Sequence, residues 1–185
     1  MIHVQSRPVA TAEEAARIAE EHFGLEGTAS PLPGERDLNF LLTDREGARF
    51  VVKMTSPEES DAALTFETGL LAWLGEREDV PTPGVIRTRG GDLVARLSDG
   101  EGGHRVRVLP FIPGAVMASI RPWTDDLLIE LGRSVARLDR VLEDHPTPPP
   151  PRPDFDWSLD NAARVIRRGL EILPATRWES TGNDC

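Results

Sequence analysis

One lysine stands among the 21 basic Lys and Arg residues of this 185-residue chain, and it is Lys53. The other twenty are arginine. At solvated surface sites the two types often exchange, but a compact, flexible point charge is a task for lysine. Lys53 lies in the apolar run Phe50-Val51-Val52-Lys53-Met54. A strand there gives its side chain a defined face. Upstream, Gly34 opens the segment Gly34-Glu35-Arg36-Asp37-Leu38-Asn39, and downstream Glu67 follows Lys53 by 14 residues. A triphosphate needs backbone donors that approach its oxygens closely and a cation between its α- and β-phosphates. A glycine turn permits the approach, a strand lysine supplies the cation, and a helical glutamate can orient it. Taken singly, Gly34 is an ordinary turn glycine, Lys53 a solvated strand residue and Glu67 a helix-surface acid. Their order along the chain is what points to phosphate chemistry.

The elements that must position these residues can be read from the pattern. Thr11 to Phe23 reads as a helix, with Thr11 and Glu14 as a capping box, Ala15, Ile18, Ala19, His22 and Phe23 on one face, and Gly24 as its stop. Thr28 to Leu32, Asn39 to Thr43 and Arg49 to Met54 read as three antiparallel strands, with Asp44-Arg45-Glu46-Gly47 as a hairpin turn. Ser56 to Arg77 is the next helix, capped by Ser56 with Pro57 in the first turn, and carries Leu64, Glu67, Leu70, Leu71 and Leu74 at helical spacing. Gly84 to Arg89, Asp92 to Leu97 and His104 to Phe111 are short strands, the last two separated by the turn Asp99 to Gly103. Phe111-Ile112-Pro113-Gly114 is a connector. Trp123 to Leu142 and Asp156 to Leu173 are amphipathic helices, the first with Leu127, Leu128, Leu131, Val135, Leu138, Val141 and Leu142 along its apolar side. The proline-rich Pro146 to Pro153 separates them. The tail beyond Pro174 has no periodicity. The fold class expected is α+β, a small antiparallel sheet followed by helices.

Charge and composition exclude several classes. The formal net charge of −10 argues against a nucleic-acid binder, which needs a basic face. No run approaches the roughly 18 apolar residues of a membrane span, the first residues lack the apolar stretch of a secretory signal, and the single Cys185 allows no internal disulfide. The expectation is a cytoplasmic protein whose partner is a small nucleotide, with no nucleic acid and no membrane.

The segments LPGERDLNFLL, FVVKM, FETGLLAWL and RVLPFIPG, in this order, resemble the phosphotransferase family that includes the aminoglycoside phosphotransferases. The G-E-x-D-x-N-F loop looks most like its hydroxylysine-kinase branch. The resemblance runs from about Leu25 to Leu173. It implies a protein-kinase-like bilobal fold: a nucleotide-binding lobe over residues 1–110 with its leading helix, a hinge at 111–114, and an incomplete helical lobe over 115–185. It also implies ATP as the cofactor. Gly34, Glu35, Arg36, Asp37 and Asn39 would form the nucleotide loop, Lys53 the phosphate-binding lysine and Glu67 its helical partner. Val108, Leu109 and Phe111 would belong to the hinge strand whose backbone reads adenine.

The same resemblance requires a catalytic Asp in a His-Gly-Asp-like loop, an Asn after it, and a second Asp for magnesium. None of His3, His22, His104 or His145 begins a His-x-Asp sequence. Asp154-Phe155-Asp156 lacks the glycine of an Asp-Phe-Gly motif, and Asp160-Asn161 falls inside a predicted helix. No catalytic residue and no metal ligand is therefore assigned, although Mg²⁺ is expected of a full-length member. The expectation is a chain truncated before its catalytic loop, inactive in phosphoryl transfer, with exposed helical faces able to self-associate. Two other readings stay open at this point: a non-catalytic nucleotide-binding or regulatory module, and a partner-binding α+β domain.

Overall fold

A computed structural model describes residues 8–77, 80–97, 104–153 and 155–172. The expected turn Asp99 to Gly103, His3, Asp154, Leu173 and the tail through Cys185 lie outside the described residues. The chain divides into two compact units, Met1–Pro148 and Pro149–Cys185.

The first unit opens with α1, Ala12–Ile18. Thr11 Oγ1 accepts the Glu14 N–H at 3.2 Å and Glu14 Oε2 accepts the Thr11 N–H at 2.7 Å, so the capping box forms as its spacing predicts. The helix widens into a π-helical turn over Ala19–Phe23 and ends at Gly24, whose φ of 73° is left-handed and natural only to glycine. The Glu20 carbonyl in this turn accepts both the Gly24 N–H and the Arg89 guanidinium.

Five strands make one antiparallel sheet in the order β1-β2-β3-β5-β4: β1 Gly27–Leu32, β2 Leu38–Asp44, β3 Arg49–Met54, β4 Ala95–Arg96 and β5 Arg105–Pro110. The β2–β3 hairpin closes where expected: Asp44 Oδ1 accepts the N–H groups of Glu46 and Ala48, and Gly47 takes a φ of 88°. Alternation then sorts the strands. Phe40, Leu42, Val52, Met54, Val106 and Val108 turn to one face and pack with Ala15, Ile18, Ala19 and Phe23 into the core. Asn39, Lys53 and Arg107 turn to the other face.

Several expected boundaries move; the strand expected over Asp92 to Leu97, for one, is only Ala95–Arg96. The second helix, α2, spans Asp61–Gly75 and is capped by Ser60, not Ser56. Ser56 is held in a turn instead: its N–H donates to Asp37, its Oγ accepts from Glu58, and its carbonyl accepts the Glu59 N–H and the Arg105 guanidinium. Of the strand expected over Gly84 to Arg89, only a single bridge between Ile86 and Val108 forms. The neighbouring amides bond elsewhere, Thr88 N–H to the Asp92 carbonyl and Arg89 N–H to the His22 carbonyl.

Helix α3, Asp125–Glu143, starts at the Thr124 cap and contains no buried residue. Just beyond it, His145 packs edge-on against Phe66 and Trp73 of α2. In the second unit, α4 spans Ala162–Ile172, shorter than the expected helix because Leu159–Asn161 forms a 3-10 turn. Asn161 donates to the carbonyls of Arg152 and Phe155, which fixes that turn and places Asp160-Asn161 ahead of α4. Arg164 pairs with Asp156 at 2.8 Å. Among the described residues no helix is long and apolar enough to cross a membrane.

Candidate nucleotide site

Strand register builds the centre of the site. Asn39 on β2 lies directly across from Lys53 on β3, and Lys53 directly across from Arg107 on β5. Three polar side chains thus form a row on a single sheet face, their strand neighbours Phe40, Val52, Met54, Val106 and Val108 being buried on the other. Lys53 Nζ donates to Asn39 Oδ1 at 3.0 Å and lies 3.5 Å from Asp37 Oδ2.

The loop before β2 folds onto this row. Asn39 Nδ2 donates to the Pro33 carbonyl at 3.2 Å, which draws the start of the loop over the sheet. Gly34 sits so close to the Asn39 amide and the Asp37 carbonyl that a Cβ there would overlap both. Its place in the sequence is thus explained by contact, not by a special backbone angle. Arg36 pairs with Glu59 at 3.1 Å, and Glu35 is exposed. Asp37 is the hub. Its Oδ1 accepts the Ser56 N–H at 3.1 Å, while Oδ2 faces Lys53 at 3.5 Å and Arg107 Nη2 at 3.6 Å.

Arg107 was not among the residues singled out from the sequence. The structure leaves it 7% exposed, with Nη1 at 3.5 Å from Glu67 Oε2 and 3.3 Å from Thr68 Oγ1. Glu67, expected beside Lys53, is therefore paired with the arginine next to it, and Asp37 joins the two cations. A buried guanidinium is tolerated because two carboxylates surround it. The alternation Arg105-Val106-Arg107-Val108 was the available signal, since it sets Arg107 on the face of Lys53 once the register is known.

The expected hinge residues sit at the end of the same strand. Val108 is fully buried and its carbonyl accepts the Ile86 N–H. Leu109 lies across from Val51. The Phe111 N–H donates to the Arg49 carbonyl, and the Arg49 guanidinium lies 4.2 Å from the Phe111 ring centre. Two of the backbone groups in this segment are thus already engaged within the sheet. A cavity of about 650 Å³ lies elsewhere, lined by His22, Arg89 and Arg96 among others, and of the site residues it touches only Thr68.

The Arg105 guanidinium, and Arg96 after it, lower the pKa of Asp61 below its ordinary value. This ties the first turn of α2 to β5 and β4.

Residues 28–179 match the phosphotransferase enzyme family, APH. The chain belongs to that family. Among its relatives, hydroxylysine kinase of Mus musculus is 28% identical over 93% of this chain and 50% of its own length. Hydroxylysine kinase of Danio rerio is 30% identical over 84% and 46%, and that of Bos taurus 30% identical over 93% and 50%. The chain therefore spans about half the length of these relatives. Two solved structures share its fold: an amicoumacin kinase in complex with AMP-PNP and Ca²⁺, with a TM-score of 0.66 at 16% identity over 89% of this chain and 55% of that one, and a microcompartment-associated aminopropanol kinase, with a TM-score of 0.63 at 21% identity over 84% and 48%. The fold of this family member is accordingly kinase-like, α+β, with an antiparallel five-stranded sheet.

Proposed function

We propose that this chain is the ATP-binding portion of a phosphotransferase that acts on a small hydroxylated molecule of the amino-alcohol kind. The observation that carries the reading is the placement of the single lysine. Lys53 stands in the middle of a polar row, under a loop that only glycine at position 34 allows. Phosphate oxygens would meet the Lys53 ammonium and the backbone of the Gly34–Asn39 loop. Glu67 pairs with Arg107, and Asp37 lies between the two cations of the row. The nucleotide base would lie toward the Val108–Phe111 segment, the residues 1–110 forming the nucleotide lobe and 111–114 its hinge.

The residues present fit the phosphates of a nucleotide. Among the described residues no three His, Cys, Asp or Glu side chains come together as a metal site. When bound, ATP supplies the phosphoryl group, and these residues bind and orient it. The sequence holds no His-x-Asp to accept a substrate proton. A positioned base contributes about 10²–10⁴ in rate, so these 185 residues alone bind nucleotide without useful turnover. A cationic substrate suits the net charge of −10, and one of the structural relatives carries the name of an aminopropanol kinase.

The test is calorimetric titration of the chain with ATP and magnesium, with Lys53→Met as the control. The expected result is saturable binding that the substitution weakens about tenfold or more. A folded chain that binds no ATP, or binds it equally well without the lysine ammonium, overturns the reading and favours a partner-binding domain.

A further inference from the structure

The nucleotide reading needs a cation at position 53 but leaves a second one unexplained. Arg107 lies directly across the ladder from Lys53, is 7% exposed, and its Nε is buried with no hydrogen-bond partner among the described residues. Guanidinium carries five N–H donors and no acceptor. Its carboxylate neighbours stand at 3.5 Å for Glu67 and 3.6 Å for Asp37, beyond the roughly 2.7–2.9 Å of a charge-assisted hydrogen bond. Asp37 stands equally far from Lys53, at 3.5 Å. A single carboxylate oxygen is thus shared between two cations and closes on neither, while the other oxygen holds the Ser56 N–H at 3.1 Å.

We infer that Arg107 is a second phosphate-binding cation beside Lys53, and that Asp37 is an internal anion holding the place between them until a polyphosphate displaces it. This rests on the nucleotide reading and adds a ligand and a competitor to it. Lys53 and Arg107 balance Asp37 and Glu67 in formal charge. A polyphosphate entering with Asp37 still in place would bring like charges together in a partly buried site, where repulsion is screened less than in water. Exchange of the Asp37 carboxylate for phosphate oxygens keeps both cations paired. Glu67, on a helix, stays with Arg107. Asp37 belongs to the bend ahead of β2, so its withdrawal moves a loop and not an element of the sheet. The carboxylate therefore weakens polyphosphate binding by the contacts that must be broken, and neutralising it strengthens binding.

The experiment titrates the full chain with inorganic tripolyphosphate, and separately with ATP, by calorimetry. Asp37→Asn keeps the side chain's size and an oxygen for the Ser56 N–H. It is expected to tighten tripolyphosphate binding about tenfold. Arg107→Met, made on the Asp37→Asn background, should reverse the gain. A second readout needs no substitution: the Arg107 Nε–H resonance of the unmodified chain should shift as tripolyphosphate is added. Equal or weaker binding by Asp37→Asn, or an Arg107 resonance unmoved at saturation, overturns the inference. If tripolyphosphate follows the expected pattern but ATP does not bind, the phosphate site stands and the nucleotide reading fails. If ATP binds in a Lys53-dependent way while Asp37→Asn and Arg107→Met leave both ligands unaffected, the nucleotide reading stands and this inference falls. Binding of neither ligand by the unmodified chain or by Asp37→Asn overturns both.

Discussion

Helices α1 and α3 are both amphipathic, both begin at a threonine cap, and differ in what their apolar sides meet. Ala15, Ile18, Ala19 and Phe23 of α1 and its π-turn are buried against Phe40, Leu42, Val52 and Val108. Leu128, Leu131 and Val135 of α3 are about half exposed, and α3 buries no residue. Periodicity thus tells which side of a helix is apolar and nothing about whether that side finds a partner within the same residues. Burial near 25 cal/mol per Å² stabilises a helix only where the partner exists, and α1 has the sheet.

The largest expected effect separates these two regions. Phe40 is 2% exposed and lies where β2 meets α1. Phe40→Ala should lower unfolding free energy by about 3–5 kcal/mol, read from the midpoint of urea unfolding. Leu131, 44% exposed, should stay within about 0.5 kcal/mol on Leu131→Ala. A comparable loss at both positions would break the comparison. It would mean that the α3 face is covered in solution, and a midpoint that moves with protein concentration would show that a second copy covers it.

A smaller effect sharpens the same contrast through the caps. Thr11 Oγ1 accepts the Glu14 N–H at 3.2 Å and Thr124 Oγ1 accepts the Leu127 N–H at 3.2 Å. The local chemistry is alike, so any difference between the two substitutions reports on coupling to the core. Thr11→Ala should cost about 1 kcal/mol of global stability. Thr124→Ala should speed amide exchange along α3 while shifting the global midpoint less. Equal global losses would show that α3 unfolds together with the sheet.

What could be read from the sequence follows the range of the interactions responsible. The Thr11–Glu14 box, the Asp44–Gly47 turn and the strand around Lys53 are set by residues within a few positions of one another, and each forms as its spacing predicts. Helix α2 starts later than its cap pattern predicts because Asp37 and Arg105, distant in sequence, hold Ser56 in a turn. The strand expected from Gly84 stops at one bridge because the His22 carbonyl takes the amide of Arg89. In the site, Lys53 was visible by its uniqueness and Gly34 by its turn. Arg107 was hidden because its role depends on the β3–β5 register, which no local pattern encodes.

The smallest expected effect concerns the seam between α2 and the sheet. Asp61 occupies the first turn of α2 and is exposed, yet its carboxylate lies 2.8 Å from Arg105 and 3.1 Å from Arg96. These two hydrogen-bonded arginines, Arg105 foremost, lower its pKa in the folded chain. Lowering means that the folded state holds the charged form more firmly than the unfolded state does. The stabilisation is therefore fully present above the ordinary Asp pKa of about 3.9, and is lost as pH falls through the lowered folded value. Asp61→Asn removes the charge at every pH. The difference in stability between the two chains should be constant near neutrality and shrink only below about pH 4. Solvent screening makes the difference small, and added salt should diminish it further. Parallel stability curves for the two chains across the acid range would show that the α2–β5 seam is held by packing and by the buried Arg107 contacts, with the surface pair contributing nothing measurable.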